Sequence, residues 1–100
     1  MTHDASAAQP RLLVVEDDDT IRETVSEAMA MEGFSVSAAA DGQSAWAQLQ
    51  QQSFDLVVLD LMLPDVSGLE LLEEITQSAP GTDVILLTGH YTPESAVEAI

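Results

Sequence analysis

Three short aliphatic runs punctuate the chain: Leu12-Leu13-Val14-Val15, Leu56-Val57-Val58-Leu59 and Val84-Ile85-Leu86-Leu87. Each is too short for a helix and is apolar at odd and even positions alike. That is the pattern of a strand buried on both faces, as in the interior of a parallel sheet. A fourth segment, Phe34-Ser35-Val36-Ser37-Ala38, alternates apolar and polar residues instead, which predicts an edge strand with one solvated face.

Between these runs the apolar spacing becomes helical. From Thr20 to Glu32, Ile21, Val25, Ala28 and Met29 fall at i, i+4, i+7 and i+8, with Asp18 or Asp19 as cap and Gly33 as stop signal. A second helix is expected from about Asp41-Gly42 and carries Ala45, Trp46 and Leu49 before the glutamines Gln50 to Gln52. Ser67-Gly68-Leu69-Glu70 has the spacing of a capping box ahead of the stripe Leu71, Leu72 and Ile75, and Ala79-Pro80-Gly81 ends that third helix. Thr92-Pro93 opens a further helix, with threonine as cap and proline at the first position. Residues 1 to 10 are small and polar, and read as a disordered tail ahead of one domain over residues 11 to 100.

Strands and helices therefore alternate. With right-handed crossovers this predicts an α/β fold, a doubly wound parallel sheet of strand order 2-1-3-4. All strands then point the same way, and the residues that follow the buried runs meet at one edge of the sheet: Glu16 and Asp17 after Leu12 to Val15, Asp60 after Leu56 to Leu59, Thr88 after Val84 to Leu87. In open α/β sheets that carboxyl edge is where ligands bind.

Composition narrows what such an edge would do. Eighteen acidic residues against two arginines and no lysine give a net charge of -16, so these hundred residues have nothing with which to neutralise nucleic-acid phosphates. The absence of cysteine removes disulfides and thiolate metal sites. No run approaches the ~18 apolar residues of a membrane span, and the N-terminus lacks the regions of a secretory signal, so a cytoplasmic location is expected. Most of the acids, Glu27, Glu73 and Glu98 among them, read as a solvated surface. The run Glu16 to Asp19 is different, because adjacent carboxylates repel unless a cation or protons relieve them.

Three carboxylates and a hydroxyl offer only oxygen ligands and select a hard cation, Mg2+ first and Ca2+ or Mn2+ next. Each pair of charges ~4 Å apart costs about 4 kcal/mol at an effective dielectric near 20, and a divalent ion removes that strain. Magnesium keeps open positions for phosphate oxygens, which suits phosphoryl transfer with Asp60 as the carboxylate nucleophile.

These motifs carry a resemblance. Leu12-Leu13-Val14-Val15-Glu16-Asp17-Asp18 with Ile21-Arg22 at the usual distance, Asp60-Leu61-Met62-Leu63-Pro64 with Gly68, and Leu86-Leu87-Thr88-Gly89 make residues 11 to 100 resemble the receiver domain of bacterial two-component response regulators, the CheY-like family. The resemblance implies a flavodoxin-like sheet. It also implies that Asp60 accepts a phosphoryl group from a sensor histidine kinase, and that Asp17, Asp60 and the Met62 carbonyl coordinate Mg2+ with help from Glu16. Thr88 resembles the switch residue whose hydroxyl turns toward the phosphoryl group and draws the following loop and helix with it. An output domain or downstream protein would then read the change.

The family normally adds a lysine after a fifth strand, an aromatic switch residue on that strand, and a last helix. Those positions would fall beyond Ile100, so the hundred residues are expected to be an incomplete receiver domain ending in the fourth helix, prone to self-association through Val84 to Leu87.

Two other function classes use similar parts. A phosphohydrolase of the haloacid dehalogenase type needs a second Asp two residues after the nucleophile, where this chain has Met62. A phosphorylation-independent interaction domain would not need the acid set. Trp46 reads as packing, His90 as a loop histidine, His3 as part of the tail, and Met29 with Met31 as helix filling.

Overall fold

A computed structural model of the chain describes residues 9–87. Most of the expected tail, the Thr88-Gly89-His90 segment and the helix expected from Thr92 lie outside the described residues. The elements run β1 (Arg11–Val15), α1 (Asp19–Met31), β2 (Ser35–Ala39), α2 (Gly42–Gln51), β3 (Leu56–Asp60), α3 (Gly68–Ser78) and β4 (Asp83–Leu87). No helix among the described residues is long and apolar enough to cross a membrane.

The strands form one parallel sheet of order β2-β1-β3-β4, as the alternation of elements predicts. Val15 pairs with both Ala39 and Leu59, and Asp60 pairs with Leu87, so the strand ends are level. Hydrogen bonding starts one residue before β1, where the Pro10 carbonyl accepts from the Ser35 amide at 2.9 Å.

The two-sided apolar runs are satisfied by helices on both faces. Leu13, Val15, Val57 and Leu59 point to the face covered by α2 and α3 and pack there with Ala45, Phe54, Leu71 and Ile75. Leu12, Val14 and Val58 point to the opposite face, where Val25 and Met29 of α1 cover them. Trp46 packs against the first of these clusters, as its spacing predicts.

Caps set where the helices begin and stop. Asp18 accepts from the Ile21 amide at the start of α1, and Asp41 accepts from the Ser44 amide at the start of α2. Gly33, at φ 102, ends α1 in a left-handed turn, with the Gly33 and Phe34 amides donating to the Ala30 and Met29 carbonyls.

Several local expectations need correction. Of the apolar stripe on α1, Val25 and Met29 are half-buried against the sheet as their spacing predicts, Ile21 is 42% exposed, and Ala28, expected on the same stripe, is exposed, while Arg22 and Ser26 are half-buried. Arg22 reaches back over the end of β1 to the Glu16 and Asp17 carbonyls. Met31, expected as helix filling, is 86% exposed on the last turn. The capping box at α3 is half made: Ser67 accepts from the Leu69 amide at 3.2 Å, and its own main chain forms a bridge with Met62 rather than receiving Glu70.

Candidate functional site

The site is built where β1 and β3 end side by side. Glu16 stands one position beyond the Val15–Leu59 pair, and Asp60 is the last residue of β3. Because the strands are parallel and in level register, these two side chains arrive at the same edge although they lie 44 positions apart in the chain. Glu16 and Asp60 are only 5% and 6% exposed, while Asp17 is exposed at the rim. One oxygen from each of the three carboxylates lies within 4.8 Å of the others.

Main-chain amides orient the two buried acids. Asp18 donates to Glu16 Oε2 at 3.0 Å, and Met62 donates to Asp60 Oδ1 at 3.0 Å. Among the described residues, no arginine forms an ion pair with these three acids; the ion pair formed there is Arg22 with Asp19. Burial pushes the Glu16 carboxyl up from its ordinary 4.5 to about 7; the Asp18 amide opposes this, and the nearby Asp60 and Asp17 carboxylates reinforce it. Concentrated anionic oxygen without a counter-charge fits a hard divalent cation, and the donor set suits Mg2+.

The loop after β3 is held tightly against this edge. Pro64 to Ser67 turn the chain, and Gly68 then comes back so close that a Cβ there would sit 2.5 Å from the Asp60 carbonyl oxygen and from Leu61 Cα. Only glycine tolerates that approach. Asp65 ties the same loop to α2 by accepting from the Gly42 and Gln43 amides at 2.8 and 2.9 Å. Those amides, Gly42 first, hold its carboxyl below the ordinary 3.8. Met62 stands in this loop with an exposed side chain, so its main chain is the part that faces the acids through the Asp60 bond.

Glu16, Asp17 and Asp60 are thus brought together as the sequence predicts, with Met62 beside them, while Thr88 lies outside the described residues and follows Leu87, the partner of Asp60 in β4. The sequence reading did not find Asp65, whose partners are more than twenty positions away and leave no local pattern.

The profile of the response regulator receiver domain matches residues 12–100. The chain belongs to that family. Among curated proteins it is similar to the probable transcriptional regulatory protein TcrX of Mycobacterium tuberculosis, with 42% identity over 89 residues that cover 89% of this chain and 38% of that protein. It is also similar to the regulatory protein AtoC of Escherichia coli, 34% identical over 90 residues, covering 90% of this chain and 20% of that one. This receiver domain therefore spans well under half the length of those relatives.

Among solved structures, the CheY-like receiver domain protein of Methanospirillum hungatei superposes with a TM-score of 0.82 at 33% identity, over 90% of this chain and 72% of that one. The response regulator TrrA of Thermotoga maritima, solved in complex with Mg2+ and BeF, gives 0.77 at 37% identity, over 81% and 70%. The receiver sheet order and the acidic edge agree with the architecture expected from the motifs.

Proposed function

We propose that this receiver domain is the phospho-accepting module of a two-component signalling system, with Asp60 as the acceptor. The observation that carries the reading is a buried carboxylate at the end of the central strand, converging with Glu16 and Asp17 and lacking a paired cation among the described residues.

In this reading an Asp60 oxygen attacks the phosphorus of a kinase phosphohistidine. A P–O bond forms as the P–N bond breaks, the bond electrons return to the imidazole, and the product is an acyl phosphate. Glu16, Asp17, Asp60 and the Met62 carbonyl would hold Mg2+, which offsets charge on the transferring oxygens. The Met62 amide keeps Asp60 aimed by bonding one carboxylate oxygen and leaving the other for attack. Thr88 would sense the phosphoryl group and pass the change to an output domain or a downstream protein. That the Thermotoga relative was solved with Mg2+ and BeF supports the same chemistry here.

The test is incubation with acetyl phosphate and Mg2+, expecting one alkali-labile phosphoryl group that Asp60→Asn abolishes. Equal labelling of the Asn variant overturns the assignment.

A further inference from the structure

Arg22 is one of two arginines in a chain with no lysine, and it does not bond the carboxylates that converge at the site. Its Nη1 donates to the Glu16 carbonyl at 2.9 Å and lies 3.4 Å from the Asp17 carbonyl, while Nη2 pairs with the Asp19 carboxylate. The side chain is 21% exposed. We propose that Arg22 is a positioning residue for the metal site: by gripping the main-chain oxygens of Glu16 and Asp17 on the α1 side, it turns their carboxylates toward Asp60. This inference rests on the metal-dependent reading given above.

The physical need arises from the turn itself. Between β1 and α1 the segment Glu16-Asp17-Asp18 carries adjacent negative charges, and electrostatics alone would splay those side chains into water. Three of its groups are fixed by other contacts: the Glu16 amide donates to Ala39, the Asp18 amide to Glu16 Oε2, and the Asp18 carboxylate caps α1. The Asp17–Asp18 peptide plane is thus held from its amide side; the Glu16–Asp17 plane is left to the Glu16 carbonyl, where Arg22 makes its shorter bond, and the Asp17 carbonyl takes the longer one. A planar guanidinium supplies donors in a fixed fork and spans both carbonyls and Asp19 at once; an ammonium is a single point with no such plane. Orienting groups behind metal ligands commonly change affinity by about 10- to 100-fold.

Charge and positioning predict opposite signs. As a bare charge near a cation site, Arg22 repels Mg2+, and its removal would tighten binding. As an orienting group, its removal weakens binding. Titration calorimetry of Mg2+ into the unaltered chain, Arg22→Met and Arg22→Lys separates the two. Methionine keeps helix propensity and most of the aliphatic stem, and lysine keeps the charge without the fork. The expected result is a Kd about tenfold weaker for Arg22→Met, with Arg22→Lys in between.

Two further readouts distinguish orientation from folding. Hydrogen exchange at the Asp18 amide, measured without metal, is expected to speed up in Arg22→Met, because the Glu16 carboxylate that accepts from it is released. In acetyl phosphate labelling, the half-saturating Mg2+ concentration rises while the rate at saturating Mg2+ stays within about twofold.

A Met variant that binds Mg2+ as tightly as the unaltered chain, or tighter, overturns the proposal. So does a Lys variant indistinguishable from arginine, and that comparison stands alone if Arg22→Met does not fold. Absence of Mg2+ binding in the unaltered chain instead overturns the metal reading, and this inference with it.

Discussion

Replacing Glu16 by glutamine tests the electrostatics of the site most directly. Glu16 is 5% exposed and its carboxyl is held at about 7 rather than 4.5, chiefly by burial. A group whose acid form is favoured by the fold destabilises that fold once ionised. As pH rises through 4.5 the unfolded chain loses its proton first, so stability falls from there until the folded carboxyl ionises near 7, and is flat above. At ~1.4 kcal/mol for each tenfold difference in proton affinity, the full cost is at most about 3 kcal/mol. Between about pH 5 and about pH 8 some 2 to 3 kcal/mol of it develops.

Glutamine has the same shape, keeps an oxygen to accept from the Asp18 amide, and does not titrate. The assay is urea unfolding at both pH values without divalent cations, for both proteins. The rest of the acidic surface repels itself equally in the two, so the decisive quantity is the difference between their pH-dependent losses. The unaltered chain should lose about 2 kcal/mol or more beyond what Glu16→Gln loses, and Mg2+ should shrink its deficit at the higher pH. Equal losses in the two proteins would refute the claim that burial raises this carboxyl.

Asp17→Asn should weaken Mg2+ binding markedly and Asp18→Asn far less, because Asp17 belongs to the carboxylate cluster while Asp18 caps α1 through the Ile21 amide; equal losses by calorimetry would show the wrong register. Gly68→Ala should destabilise by about 1 to 3 kcal/mol in urea melts, since its Cβ would stand 2.5 Å from the Asp60 carbonyl oxygen, and an unchanged midpoint would mean the loop yields freely. Thr88→Ala should still accept phosphoryl while losing the amide shift changes over Gly89 to Ala96 on adding beryllofluoride; undiminished changes would assign the switching to another group.

Much of the site was legible in the chain because its pieces are local. A run such as Leu56 to Leu59, apolar on both faces, is satisfied only between two layers of helix, and parallel strands joined by crossovers must deliver their carboxyl ends to the same edge. Glu16, Asp17 and Asp60 follow from that argument alone, and the three carboxylates do converge. The Gly33 stop, a cap at Asp18 or Asp19 and a helix start near Asp41 are legible for the same reason, since each acts within a turn of its own position; the structure places the two caps at Asp18 and Asp41.

What tertiary structure decided are contacts between groups far apart in the chain or between side chains and backbone. The periodicity of α1 puts Ile21, Val25, Ala28 and Met29 on one stripe, yet only Val25 and Met29 of these are half-buried, because how much of a stripe is covered depends on the elements that pack over it. Asp65 looks like any loop acid until the fold brings the Gly42 and Gln43 amides to it. The glycine at position 68 is required by the nearness of the Asp60 carbonyl, a distance that exists only once β3 and α3 are packed. The proton affinity of Glu16 is of the same kind. Its residue type and its place after β1 come from the chain, but desolvation is a property of the folded surroundings, and no arrangement of neighbours in sequence supplies it.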